Sequence, residues 1–413
     1  MAVEATNAAQ EFDEPDLDVL VSRQAVVDNE MRVTGYRVAY AALDGEEIVD
    51  HADRSAIRLF SDFLSVVGLQ ELVGSTVAHL PVSQEMLVTL GIPPIRPDRV
   101  MLRLSYLTAI DPEVQTIVDG LAMRGYALSL HSLPGPDFDP KLLERFGTIE
   151  ADFSAWNVDD AATVAMQAHA ACATPLASGV FDHRAFELAD RLGFRLFSGP
   201  FIATPRVTSV RQVPVDRLST LVALARLQRR SAEIEEIEQV INRDVGLSVK
   251  LLRYINSAYF GMRHNIGSIR QAVMMLGAHG VSRWALLVAL TGGPSAPREL
   301  SVMALTRARM CELLGARNPD LDPEELFMVG MLSVADALLD LPIDAIVGQL
   351  PVSPEVADAL LHHGGDVGAI LDAVICYERG EFGAVSLVAH RHDLGACYRA
   401  SLRWARRTLA ESV

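Results

Sequence analysis

Lysine is almost missing from this sequence of 413 residues. Lys141 and Lys250 are the only two, and arginine carries nearly all of the positive charge. That usage reflects a GC-rich genome more than a function. Cysteine is scarce too. Cys172, Cys311, Cys376 and Cys397 are widely spaced, with no CxxC pair, and read as small core residues in a reducing compartment. Basic residues are outnumbered 36 to 53, leaving a net charge of −17 and a pI near 5.1. A protein whose main partner is nucleic acid or an anionic membrane would show the opposite balance. No uncharged apolar run reaches the 18 or so residues that a membrane span needs. The N-terminus, MAVEATNAAQEFDEPDLD, has six acidic residues, no basic ones and no apolar core. It is not a signal peptide, and the expected location is cytoplasmic. GxxxxGK[ST], HExxH, GxSxG and a GxGxxG after a strand are all missing. The three tryptophans, Trp156, Trp284 and Trp404, are too far apart to form a stacking platform.

What is present is a chain built to fold. Half of it is hydrophobic and 22% is charged, with a mean hydropathy of +0.22, and its length suits two or three domains. Residues 1–18 read as a disordered acidic tail. From 19 to 206, apolar runs (VLVSRQAVVD, TGYRVAYAAL, STVAHLPV, RVMLRLSYL, YALSLHSL, TIEADFS, TPLASGV, FRLFSGP) alternate with amphipathic segments such as SAIRLFSDFLSVVG and PEVQTIVDGLAMRG. Eight strands alternating with helices predict a parallel, closed sheet of the (β/α)8 type. A linker is expected over 207–216, and 217–413 reads as all-α. Leu251, Leu252, Ile255 and Tyr259 share one helical face, as do Ile269, Ala272, Val273 and Leu276. DPEE places Asp322 as an N-cap with Glu325 completing a capping box, and SPE at 353–355 repeats the Ser/Pro start. The arginines of the final helix, YRASLRWARRTLAE, are expected in solvent. Acidity is concentrated in the first half, where residues 1–212 hold 30 acids against 16 bases and 213–413 hold 23 against 20.

Two arginines stand out against this pattern. Arg37 interrupts GYRVAYA and Arg103 interrupts VMLRLSYL. Both runs read as buried strands, and burying a guanidinium without a partner costs several kcal/mol. His131 and Ser132 look like a base and a nucleophile, but strand neighbours are expected to face opposite ways. His362 and His363 are adjacent on a helix, about 100° apart, and read as an exposed helix end.

The order VSRQAVVDNEMRVTGYRVAY, VSQEML, DRVMLRLSYL, RGYALSLHSL, LGFRLFSGPFIATP resembles the EAL domain of cyclic di-GMP phosphodiesterases, in its short form fused to an HDOD domain. The stretch NRDVGLSVKLLRYINSAYFGMRHNIGSIRQAVMMLGAHGVSRW resembles the HDOD core, with its Asn256–Ser257 pair. The resemblance implies an EAL-like barrel followed by a helical HDOD bundle. It also implies a site of carboxylates and an Asn at the strand ends, holding two divalent metals. In this sequence the implied positions hold Arg37 for the naming Glu, Pro81 at or beside the Asn, and Arg103 for the next Glu. His131 and Ser132 replace the paired aspartates, and Glu150 replaces a Lys. Asp152 is retained, and Ser178 replaces the last Glu. The Arg of the EALxR motif is Ala41. In the helical half, Ser333 and Val334 stand where catalytic relatives carry a His-Asp pair.

With these replacements, the resemblance implies a non-enzymatic signalling or scaffold protein with no metal and no cofactor. It is expected to act through an unknown protein partner on the HDOD half, with a homodimer possible and cyclic di-GMP not expected as a ligand. Arg37 or Arg103 is expected to pair with Glu150 or Asp152. Two alternatives remain: a metal-independent receptor for cyclic di-GMP or another anion, and an enzyme with an unrelated site.

Overall fold

The computed structural model describes residues 19–42, 69–91, 95–136, 140–206, 233–242, 245–255, 266–291, 297–316, 318–350, 352–385 and 391–412. The expected acidic tail, the amphipathic segment at 55–68, the linker at 207–216, Tyr259 and the Asn256–Ser257 pair lie outside them. The chain divides into two compact units: residues 1–204 with 375–399, and residues 205–374 with 400–413. The first division falls after Thr204. The return of 375–399 to the barrel unit departs from an unbroken helical domain over 217–413.

The first unit is a closed eight-stranded barrel in sequential order. Its strands are β1 (Val19–Asp28), β2 (Val33–Ala42), β3 (Val77–Pro81), β4 (Val100–Ser105), β5 (Ala127–His131), β6 (Thr148–Asp152), β7 (Thr174–Ser178) and β8 (Leu196–Ser198). All eight apolar runs form strands. The expectation of a wholly parallel sheet is corrected at β1, which runs antiparallel to both β2 and β8. The reason is local. Asp28 and Val33 are joined by a tight turn, with hydrogen bonds from Met31 N to Asp28 O and from Asp28 N to Arg32 O, both 3.0 Å. A parallel crossover needs a dozen or more residues. RVMLRLSYL is shorter as a strand than it reads. Ser105 accepts the Thr108 N–H and caps a helix over Tyr106–Ile110.

Alternation divides the strands between two environments. Leu80, Leu102, Leu104, Leu130 and Ile149 are wholly buried on the face turned to the surrounding helices. The helix Pro112–Met123 offers Val114, Val118 and Leu121 in return. That helix starts where Asp111 accepts the Glu113 N–H, with Pro112 in the first turn. The opposite face of the strands lines the lumen and carries His79, Arg103, Ser129 and Glu150, all buried. A polar lumen under an apolar outer layer is what makes this end of the barrel a candidate site.

The second unit is helical. Leu251 and Ile255 are buried in the helix Val245–Ile255, and Ile269, Ala272 and Val273 in the helix Ile269–Thr291. Asp322 caps the helix Pro323–Leu332 by accepting the Glu324 N–H, and Ser353 caps Pro354–His362 through the Val356 N–H. The helices Arg298–Gly315 and Pro323–Leu332 meet where a Cβ on Gly330 would lie 2.5 Å from the Arg307 carbonyl oxygen. Residues Pro354–Arg379 are the one stretch among the described residues long and apolar enough to cross a membrane. His363, at φ 55°, breaks it into two helices. His363 and the neighbouring His362 are exposed at that helix end as expected, and the His363 ring contacts Asp372. The expectation of solvated arginines in the last helix is corrected at Arg399, which is buried. Cysteine burial is also mixed: Cys311 and Cys397 are buried, Cys376 is intermediate and Cys172 is exposed.

Candidate functional site

Parallel register brings the unusual lumen residues together. Arg37 on β2 lies beside His79 on β3. Arg103 on β4 lies between Pro81 on β3 and Ser129 on β5. Glu150 on β6 closes the set. Its Oε1 accepts Arg103 Nε at 2.6 Å and Ser129 Oγ at 2.9 Å, and its Oε2 accepts Arg103 Nη2 at 2.8 Å. Arg37 Nη2 approaches Oε2 to 3.7 Å. Arg103 and Glu150 therefore form a two-pronged fork, the arrangement of a guanidinium that best tolerates loss of water.

Electrostatics follow from this packing. Burial by itself would raise the Glu150 carboxyl pKa. The charges of Arg103 and Arg37, with the Arg103 hydrogen bonds, outweigh burial and hold it well below the usual carboxylate range. Burial pushes His79 down to about 4 and His131 down to about 3; Arg103 and Arg37 add to both effects and Glu150 opposes them. Both imidazoles are neutral at pH 7. Glu150 is then a charged acceptor already committed to Arg103, and His131 is too weak a base to activate a nucleophile.

The remaining expected positions lie around the rim. Asp152 shares the lumen face of β6 with Glu150 but is exposed. Its Oδ1 accepts the Ser154 N–H at 2.9 Å and Ser154 Oγ at 2.6 Å. Close to that oxygen lies Gly179, at φ 66°, where a Cβ would collide with the carboxylate. Ser178 is buried and donates to the Ala151 carbonyl. Pro81 ends β3, and its carbonyl accepts the Tyr40 hydroxyl at 2.8 Å. The expectation that His131 and Ser132 face apart is corrected. The strand ends at His131, and Ser132 adopts φ 55°, which lets its Oγ come within 2.8 Å of His131 Nδ1.

Three members of the site escape a motif-led reading. His79 is 3% exposed and its Nδ1 has no hydrogen-bond partner. Ser129 supports Glu150, and Gly35 leaves room for His79. A Cβ on Gly35 would lie 2.8 Å from both His79 Nε2 and the Val77 carbonyl oxygen. Strand alternation is the signal that finds the two side chains: His79 is two residues before Pro81 and Ser129 two before His131.

In the helical unit, Ser333 Oγ accepts Arg307 Nη1 at 3.2 Å and donates to the Gly330 carbonyl at 2.8 Å, while Val334 is fully buried. Nearby, burial pushes Asp336 up to about 6 against the opposing charge of Arg307.

These residues do not fit a pair of divalent cations. Such ions need several oxygen donors with lone pairs to spare. The buried carboxylate is forked by one guanidinium and approached by a second, and Asp152 is turned to Ser154. Among the described residues, no three His, Cys, Asp or Glu side chains converge as metal ligands.

Comparison with known proteins agrees with the two-part organisation. Residues 218–338 match the HDOD domain. Over 401 residues the chain is 26% identical to an uncharacterised protein of Bacillus subtilis, YuxH, covering 94% of this chain and 98% of that one. It is also 26% identical over 397 residues to the cyclic di-GMP phosphodiesterase CdgJ of Vibrio cholerae, covering 94% of this chain and 90% of that one. Among solved structures, the BlrP1 manganese–cyclic di-GMP complex of Klebsiella pneumoniae is 18% identical with a TM-score of 0.38. That match covers 45% of this chain and spans 55% of BlrP1. Solved EAL domains in complex with cyclic di-GMP are also among the neighbours. The chain thus has a closed eight-stranded barrel followed by a helical region in which residues 218–338 match the HDOD domain, and over nearly its whole length it is similar to one cyclic di-GMP phosphodiesterase.

Proposed function

We propose that this protein is a non-catalytic member of a cyclic di-GMP-related signalling group, a scaffold whose barrel keeps the phosphodiesterase fold without its metal centre. The observation that carries the reading is the Arg103–Glu150 fork. A guanidinium occupies the strand position from which the resemblance takes a metal-binding carboxylate, and it consumes the carboxylate opposite. Arg37 adds a second positive charge beside it, so an approaching divalent cation meets repulsion where it needs donors. With no chemistry at the barrel, the protein acts in the cytoplasm by binding another protein through its HDOD helices.

Three measurements on the full chain test this reading. Titration calorimetry with Mn²⁺ at neutral pH gives no saturable binding, whereas a stoichiometric two-site isotherm contradicts it. Cross-linking to a captured partner places the links on residues 233–374. Links confined to the barrel strands assign partner binding to the other unit. Saturable cyclic di-GMP binding without metal would favour a receptor over a scaffold.

A further inference from the structure

Where β1 meets β8, only part of the longer strand is covered. Strand β8 has three residues and pairs with β1 only at Val26–Asp28. Among the described residues, the first half of β1 therefore has no neighbouring strand on that side. An open edge of this kind presents unpaired N–H and C=O groups and invites pairing with another chain. A side chain takes the place of the missing strand. The Tyr377 hydroxyl donates to the Val21 carbonyl at 3.0 Å and accepts the Val21 N–H at 3.1 Å, satisfying both backbone groups with one oxygen.

The contact is built rather than incidental. Tyr377 is fully buried, edge-on to Phe382 at 5.2 Å and tilted against Tyr398 at 5.1 Å. Burial raises its hydroxyl pKa far above the ordinary value, so the proton needed for the Val21 carbonyl stays in place. Tyr377, Phe382 and Tyr398 all belong to Ile375–Arg399, the segment that returns to the barrel unit after 170 residues of the other. Two helices carry the ends of this segment. In Gly365–Arg379, residues up to Val374 belong to the helical unit and Ile375 onward to the barrel unit. In Arg391–Ser412, the same division falls after Arg399.

We propose that the described parts of this segment, residues 375–385 and 391–399, form a strap along the open edge of β1, with Tyr377 as its latch. The order of β1 then depends on the helix Gly365–Arg379 remaining formed as far as Tyr377. A change that unwinds the end of that helix frees Val21 and loosens β1. Because Gln24 on β1 lies directly opposite Arg37 on β2, the loosened strand is the one beside the charged lumen. The strap thus ties the order of β1, beside the candidate site, to residues 375–379 of the same unit. It does not depend on whether that site is catalytic.

Hydrogen exchange on the full chain tests the strap. Tyr377→Phe removes the hydroxyl and keeps the ring. It is expected to speed exchange over residues 19–25 by about tenfold or more while leaving the helix Pro323–Leu332 unchanged. Phe382→Leu, which keeps the hydroxyl, is expected to have a smaller effect on 19–25. Exchange at 19–25 within twofold of the parent chain, or a uniform increase across both units, overturns the proposal. Native-state exchange of the unsubstituted chain in a mild urea series gives a second reading that does not depend on the variant folding. Residues 19–25 and 375–379 are expected to open together, and protection of 19–25 after 375–379 has exchanged overturns the strap.

Discussion

Replacing Arg103 with leucine keeps the apolar bulk of the side chain and removes both prongs of the fork. Glu150, 3% exposed, would then keep only the Ser129 hydroxyl at 2.9 Å and the distant Arg37 guanidinium at 3.7 Å. Breaking one partner of a buried ion pair costs about 3–5 kcal/mol, because the stranded charge has lost its water as well as its partner. For a unit of about 200 residues, where 1 kcal/mol moves Tm by about 2–4 °C, this is a fall of roughly 6–20 °C. The penalty should also depend on pH. In the parent chain the carboxyl pKa is depressed below its ordinary value of 4.5. Its contribution is present above about 4.5 and is lost as pH falls below that value. In Arg103→Leu the same carboxyl is buried without a fork, its pKa rises, and protonation relieves the cost. The gap in Tm between the two chains is therefore expected to narrow from pH 7 to pH 5. Adding Glu150→Leu should restore stability, with a coupling energy above about 1 kcal/mol in the double-mutant cycle. Additive losses, or a gap that widens on acidification, would refute the pairing as the reason both residues are tolerated.

Other consequences follow from the same geometry. His79 and His131 are held neutral, with folded-state values near 4 and 3, so an unfolded chain binds more protons than the folded one below about pH 6.5. Stability should decline as pH falls from about 6.5 toward 4, and His79→Leu should flatten part of that decline in melting curves; an unchanged profile would assign the acid sensitivity elsewhere. Gly35→Ala forces a Cβ against the Val77 carbonyl and the His79 ring, a strain of about 1–3 kcal/mol. Urea denaturation should show this as a lower midpoint with an unchanged slope.

Much of the fold is legible in the sequence because a barrel repeats a simple signal. Eight apolar runs separated by helical periodicity or turns mark eight strands, and alternation assigns their faces. The direction of β1 is not carried by that signal. It depends on the turn at Asp28–Arg32 being too short for a crossover. At the site, the puzzle of a buried Arg103 leads to Glu150 because strand register and opposite charge leave few candidates. The Ser132 Oγ contact with His131 is hidden by a positive φ at a residue type that rarely adopts one. His79 has no charge partner and interrupts no motif, so only its place two residues before Pro81 marks it. Ile375–Arg399 reads as part of a helical domain because amphipathic periodicity reports that a face is buried without reporting what covers it. Arg399 looks solvated because a charge in a helix gives no sign of its neighbours, yet it is buried within Arg391–Ser412.

The central claim is that Arg37, Arg103 and Glu150 replace a metal centre rather than rearrange one. Incubating the purified full-length protein with cyclic di-GMP and excess Mn²⁺, and following linear dinucleotide by chromatography, tests it most directly. The account predicts no product above a blank without protein. Turnover that is lost on Asp152→Asn would contradict it.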